Sequence, residues 1–382
     1  MKLRIAFFTD ACLSQVNGVS RTVERLLGFL DERDCQTAVF APNDPSGPPQ
    51  RPRRRTYLYQ GIPLPFYAEC RLGVPISPRL YEAFTGFKPD LVHIVTEYSM
   101  GLAGLHCAWR FGVPAVSSYH TDLSRYVAYY RLPFLSESVW RYLVWFHRQC
   151  RLNFYPSQST GQILAERGIP HLRYWGRGVD TTMFNPGKRD DLLRRRLGPG
   201  PLLLYVGRLA PEKNLDVLFT AMEQVRGAYP EAKLILAGDG PMGAAIRRQT
   251  PPGVIPLGMQ QGEELRRIYA SCDLFTFPST TETYGNVVLE AMAAGLPVVA
   301  PLSGGITENL RPGINGLDFP PNQPRGMAAA ICTLLQNDSL RRQMADEARR
   351  HAETRSWSNA LSPVLGGYRE VVPASRLLPK AV

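Results

Sequence analysis

Apolar residues recur along this chain in two alternating rhythms. Ile5 to Thr9 is a short apolar run, and Ser20 to Leu30 carries Val23, Leu26, Leu27 and Leu30 at helical spacing. Gln36 to Phe40, Asp90 to Val95 and Val113 to Ser118 repeat the strand pattern. After a polar, basic stretch from Lys188 to Leu197, the same alternation resumes. Leu202 to Val206, Leu234 to Ala237, Val254 to Gly258, Leu274 to Phe277 and Pro297 to Ala300 are the apolar runs. Short apolar runs alternating with helical patterns predict α/β architecture with parallel, doubly wound sheets. At 382 residues the length suggests two domains. The boundary is placed at Gly178, giving a domain over 1–178 and another over 179–357. A last helical pattern, over about 358–382, is expected to pack back on the first domain.

The most informative stretch is Thr276 to Pro297, T-F-P-S-T-T-E-T-Y-G-N-V-V-L-E-A-M-A-A-G-L-P. It reads as the end of a strand, a glycine-bearing turn and a helix stopped by Gly295-Leu296-Pro297. The backbone N–H groups of Gly285, Asn286 and Val287 open the helix, where an anion binds well. Glu282 and Glu290 bracket that start. A carboxylate beside a phosphate needs hydroxyls or amides to accept from, and sugar and ribose hydroxyls serve. An ordinary βα junction, with Glu282 as a helix-start residue, is the plain alternative.

Other candidates sit at strand ends, where open α/β sheets bind ligands. His120 and Asp122 follow the strand ending at Ser118, and Glu97 follows the one ending at Val95. Gly18 stands at a helix entrance, where the absence of a side chain lets a ligand approach the backbone. Arg208 and Lys213 follow Leu202 to Val206 and offer a planar fork and a point charge to phosphate oxygens. For each, a surface or structural role is the competing reading.

Net charge is +11, and it is uneven: residues 1–178 hold 21 Lys+Arg against 13 Asp+Glu (+8), and residues 179–382 hold 23 against 20 (+3). A basic first half favours an acidic surface or substrate. Tyr126 to Phe154 interleaves aromatics with arginines, and Arg51, Arg53, Arg54 and Arg55 crowd a Pro/Gly-rich loop. Both suit an anionic membrane surface, and no nucleic-acid motif accompanies them. The aromatic stretch is equally readable as a core helix with a basic outer face. No apolar run reaches the length of a membrane span, and the N-terminus reads as a strand rather than a signal peptide. The seven dispersed cysteines suggest reduced thiols, and the six histidines form no zinc cluster. A cytoplasmic protein, peripheral on the inner membrane face, is expected.

As a set, Asn17-Gly18-Val19, Ser118-Tyr119-His120-Thr121-Asp122, Arg177-Gly178-Val179-Asp180, Gly207-Arg208 with Glu212-Lys213-Asn214, Glu282-x7-Glu290 and Gly304-Gly305 resemble the retaining GT-B glycosyltransferases of family four. Within that family the likeness is to bacterial mannosyltransferases and to glycolipid and sulfoquinovosyl transferases. The resemblance implies two Rossmann-like domains facing a deep cleft. It implies a nucleotide-diphosphate sugar as co-substrate, a lipid or saccharide acceptor, no cofactor and no metal. Arg208 and Lys213 would hold the diphosphate and Gly285 and Asn286 would add N–H groups. Glu290 would accept from ribose, Glu282 would contact the donor sugar, and His120 would face the reacting sugar. Gly240, Gly258, Tyr284 and Val287 complete the expected donor site; Glu97, Asp122 and Tyr126 form the expected acceptor region. Glu97 and Thr307 depart from the family pattern. Other readings are a soluble saccharide acceptor, a sugar-nucleotide epimerase and a non-catalytic nucleotide-sugar sensor.

Overall fold

The computed structural model describes residues 2–11, 18–43, 55–64, 67–73, 77–121 and 133–372. The chain forms two compact units, Met1–Gly176 with Ser358–Val382, and Arg177–Trp357.

The strands of the first unit are β1 (Arg4–Phe8), β2 (Gln36–Pro42), β3 (Arg55–Tyr59), β4 (Gly61–Leu64), β5 (Tyr67–Gly73), β6 (Leu91–Ile94), β7 (Ala115–Ser118), β8 (Leu152–Tyr155) and β9 (Leu172–Tyr174). Seven of them form a sheet in the order β3-β2-β1-β6-β7-β8-β9, and β4 and β5 pair as an antiparallel ribbon. Every pairing within the seven-stranded sheet is parallel. Both faces of such a sheet are covered, so its strands are apolar throughout rather than alternating. Four of the five residues of β1 are buried, as are all four of β6. Phe8 stacks on Phe40 at 4.6 Å, and Phe84 packs against both. Each such ring, taken out of water, stabilises by roughly 1.5–3 kcal/mol.

The helix Trp357–Val371 returns to this unit after the second one is complete. A Cβ on Gly367 would lie 2.7 Å from Leu152 Cδ2 and 3.0 Å from Phe154 Cζ, so a glycine is what allows the helix to lie this close to β8. Three helices are the last described elements: Pro324–Gln336, Asp338–Glu353 and Trp357–Val371.

The second unit holds β10 (Leu202–Val206), β11 (Lys233–Ala237), β12 (Val254–Gly258), β13 (Leu274–Thr276), β14 (Val298–Val299) and β15 (Gly316–Leu317), in the order β12-β11-β10-β13-β14-β15. These strands too are parallel. All five residues of β10 are buried.

Two expectations change. Phe154 lies in β8, fully buried, not on a basic aromatic helix surface. A four-residue buried strand cannot be told from a helix end by periodicity. Trp140 and Phe146 are also core residues, whereas Phe134 and Trp145 are exposed. Arg55, expected in a loop, opens the edge strand β3; Arg51, Arg53 and Arg54 lie outside the described residues.

Candidate active site

In an open parallel sheet the strand order reverses at one point, and the crevice beyond the carboxyl ends there receives ligands. In the second unit the reversal falls between β10 and β13. The residues that follow those two strands are the ones singled out from the sequence.

From within β10, Tyr205 Oη donates to the Arg208 carbonyl at 3.0 Å and so shapes the turn that follows. The Arg208 guanidinium lies 3.5 Å from the Glu212 carboxylate. Glu212 is 1% exposed, and its Oε2 has no hydrogen-bond partner among the described residues. Asn214, held at φ 52°, caps this turn and donates to Asn322 Oδ1 at 3.0 Å.

Lys213 Nζ donates to Glu282 Oε1 at 2.5 Å, joining the β10 turn to the loop after β13. Burial pulls the Lys213 ammonium down, but the nearby Glu282 carboxylate outweighs it and the pKa lies above the ordinary lysine value. The lysine is therefore cationic at neutral pH. Ser279 Oγ donates to the same Glu282 oxygen at 2.9 Å. Glu282 Oε2 takes no hydrogen bond from the described residues and remains an open acceptor.

The loop that carries Glu282 is fixed from beneath. Gly305 N donates to the Glu282 carbonyl at 2.7 Å. A Cβ on Gly304 would sit 2.4 Å from that carbonyl, and one on Gly305 would sit 2.3 Å from Tyr284 Cα. The Gly-Gly pair is thus required by the chain's own crossing.

Helix Asn286–Ala293 follows, with Gly285 in the left-handed region at φ 78° and no side-chain cap. Asn286 Oδ1 is buried and has no hydrogen-bond partner among the described residues. Uncapped N–H groups at a helix start favour an anion. Glu290, on the same helix as Val287, accepts from Tyr269 Oη at 3.1 Å.

Three expected donor-site residues have reasons inside the fold. Tyr284 is 2% exposed and donates to the Arg177 carbonyl at 3.2 Å, so its side chain faces the core. At Gly240 a Cβ would lie 2.6 Å from the Leu209 carbonyl. Gly258, at φ 70°, has open space where a Cβ would be.

In the first unit, His120 follows β7, is 8% exposed and shares a hydrogen bond with Ser118 Oγ at 2.8 Å. Gly18 is exposed at the start of helix Gly18–Asp31. Glu97, expected in the acceptor region, follows β6. It is 7% exposed, and its Oε1 lies 3.3 Å from Nε2 of the buried His147, without hydrogen-bond geometry. Its carboxylate is turned into the unit. Asp122 and Tyr126 lie outside the described residues. Sequence reasoning missed Glu212 as the partner of Arg208. It also missed His93, whose signal was a histidine inside an otherwise apolar strand.

Among the described residues, no group of three His, Cys, Asp or Glu side chains is placed to hold a metal, and no helix is long and apolar enough to cross a membrane.

Two parallel-sheet units, the second with cations and an uncapped helix start at its switch point, have the architecture of the GT-B glycosyltransferases, as comparison with solved structures shows. The fold matches the crystal structure of Anabaena Alr3699/HepE in complex with UDP and glucose at a TM-score of 0.77 and 20% identity, over 96% of this chain and 99% of that one. Residues 16–183 match Glycosyltransferase Family 4, and residues 200–337 match Glycosyl transferases group 1. Among curated relatives, a GDP-mannose-dependent alpha-mannosyltransferase of Mycobacterium tuberculosis (strain CDC 1551 / Oshkosh) is 35% identical over 97% of each chain. Sulfoquinovosyl transferase SQD2 of Arabidopsis thaliana is 32% identical over 94% of this chain and 72% of its own. The chain belongs to the group 1, family-four glycosyltransferases, and it is an enzyme that uses a nucleotide sugar.

Proposed function

We propose that this enzyme transfers a hexosyl group, mannose first among candidates, from a nucleoside-diphosphate sugar to a hydroxyl of a lipid or glycolipid, with retention of anomeric configuration. The observation that carries the donor half is the Lys213–Glu282 contact at 2.5 Å beside the uncapped start of helix Asn286–Ala293. An ammonium has three donors. Lys213 can therefore keep Glu282 and still reach a phosphate oxygen. Arg208 supplies a second cation, and together they stabilise the charge that develops on the departing diphosphate. Gly285, Asn286 and Val287 add backbone N–H groups, and Glu290 accepts from ribose hydroxyls. Glu282 Oε2 takes a hydroxyl of the donor sugar.

In the step itself, the bond from the anomeric carbon to the diphosphate oxygen breaks. The acceptor oxygen bonds that carbon on the same face, and its proton passes to a phosphate oxygen. These residues supply the charge stabilisation without a metal. Mannose, and GDP as the carrier, are favoured by the relative's name alone.

A membrane-borne acceptor is supported by the first unit's surface. Trp109 (81% exposed), Phe134 (73%) and Trp145 (51%) project to solvent, and Arg110, Arg141, Arg148 and Arg151 are exposed near them in sequence. Aromatic anchors with basic neighbours suit an anionic interface. Incubation with GDP-mannose and UDP-glucose on anionic liposomes, followed by product NMR, tests the reading. An inverted anomeric centre would sink the mechanism. Equal transfer to soluble saccharides, with no salt-sensitive co-sedimentation, would sink the membrane half.

A further inference from the structure

Behind His120 lies a line of hydrogen bonds that no step above uses. His120 Nε2 meets Ser118 Oγ at 2.8 Å, Ser118 Oγ meets His93 Nε2 at 2.9 Å, and His93 Nδ1 meets Tyr368 Oη. Ser118 is 1% exposed, and His93 and Tyr368 are 0% exposed. We propose that Tyr368, His93 and Ser118 are positioning residues that fix the tautomer of His120, keeping its proton on Nδ1 and its Nε2 as an acceptor. The inference rests on the reading that His120 faces the donor sugar.

The direction of the line follows from counting protons. The Tyr368 hydroxyl has His93 Nδ1 as its single hydrogen-bond partner among the described residues. An O–H left unpaired at such a depth costs its full desolvation, so Tyr368 donates. His93 sits among Phe7, Phe154, Trp175 and Tyr368 rings, and burial pushes its pKa down to about 3. It is neutral and carries one proton. With Nδ1 accepting, that proton is on Nε2 and goes to Ser118 Oγ. The Ser118 hydroxyl then has one acceptor left, His120 Nε2. His120 must therefore hold its own proton on Nδ1. The opposite direction would strand the Tyr368 proton in an apolar box. The third arrangement, with both histidines donating to Ser118, would strand the serine proton. The hydrogen bond made by one ring nitrogen sets the state of the other, and the Trp175 ring, 5.4 Å away and near perpendicular, holds the imidazole plane.

The anchor of the line is distant in sequence. Tyr368 belongs to the closing helix Trp357–Val371, brought against β8 by Gly367. Substrate orientation by His120 thus depends on a residue near the other end of the chain.

The test is long-range proton–nitrogen NMR on the full-length protein labelled with 15N-histidine, at a pH of about 8, where ordinary histidines are neutral. His120→Gln assigns the His120 signal. The expected result is a protonated Nδ1 for His120. Tyr368→Phe removes the donating hydroxyl, and the Nδ1–H to Nε2–H ratio should fall by about tenfold or more. Under saturating nucleotide sugar, kcat should fall roughly three- to tenfold with little change in KM, the signature of a contact that matters in the transition state. Ser118→Ala cuts the line at its middle and should release the tautomer equally, which covers a Tyr368 variant that folds poorly. A protonated Nε2 in the wild type, or a ratio unmoved in both variants, overturns the relay. The NMR readout needs no substrate. Absence of sugar transfer by the wild type would strike the functional reading and leave the relay standing.

Discussion

At the carboxyl end of β1 the first unit places Asp10, and at the matching address on β10 the second unit places Arg208 and, five residues on, Lys213. The strand order around the two addresses is the same, with a reversal beside the first strand of each sheet. The occupants behave in opposite ways. Asp10 is buried and accepts from Thr96 Oγ1, Ser99 Oγ and the Met100 N–H, at 2.6–3.1 Å. It closes the start of helix Ser99–Arg110 from inside the chain. In the second unit the corresponding helix start, at Asn286, carries no side-chain cap, and the nearby cations rest on carboxylates of the loops. One switch point is closed by the chain's own carboxylate, and at the other the helix start stays uncapped among the described residues. The fold provides the address; the charge and capping of a few residues decide who occupies it.

Substitutions can break this contrast. The largest effect is expected from Lys213→Ala. It removes a cation from the diphosphate and leaves Glu282 without its 2.5 Å partner. We expect kcat to fall about a hundredfold, the usual cost of losing one charge-stabilising donor, read in a nucleotide-release assay. Gly304→Ala comes next. Its Cβ would meet the Glu282 carbonyl at 2.4 Å, and Gly304 sits at φ 56°. The loop must shift, with a loss of stability of about 1–3 kcal/mol and a rise in KM for the nucleotide sugar.

Asp10→Asn probes the other address. Burial raises the Asp10 pKa above 3.8, against the lowering effect of its Ser99, Met100 and Thr96 hydrogen bonds. The folded state therefore holds its proton to higher pH than the unfolded one. Stability from this group falls as pH rises through the window from 3.8 up to the folded value, and is regained on acidification. The Asn variant should lose that slope, and denaturant titrations across the acidic range should show it as a flatter curve. The smallest expected effect is that of EDTA, which should leave turnover unchanged if Arg208 and Lys213 supply the charge stabilisation. A restored rate on adding magnesium would overturn that.

Much of the fold was legible from period alone. Leu202 to Val206 reads with its observed bounds because a buried parallel strand is a continuous apolar run, and Val254 to Gly258 does so as a half-buried edge strand bounded by Gly253 and Gly258. The short β8 was not, since four residues carry no period. The stretch Thr276 to Pro297 was read as strand, turn and helix, and it is so. What local pattern does not show is the partner of a side chain: Glu97 lies against His147, and Tyr284 donates to the Arg177 carbonyl. Side-chain direction depends on partners far along the chain, and no local pattern records them.

The closing helix has a consequence for how the molecule is made. Residues 358–371 complete the first unit, yet they leave the ribosome after the whole second unit has been synthesised. Domains generally fold as they emerge, N-terminal first. Here the earlier one must wait, with the surface of Leu152 and Phe154 that receives Gly367 still open to water. A released chain that ends at residue 357 should therefore combine a protease-sensitive first unit with a folded second unit.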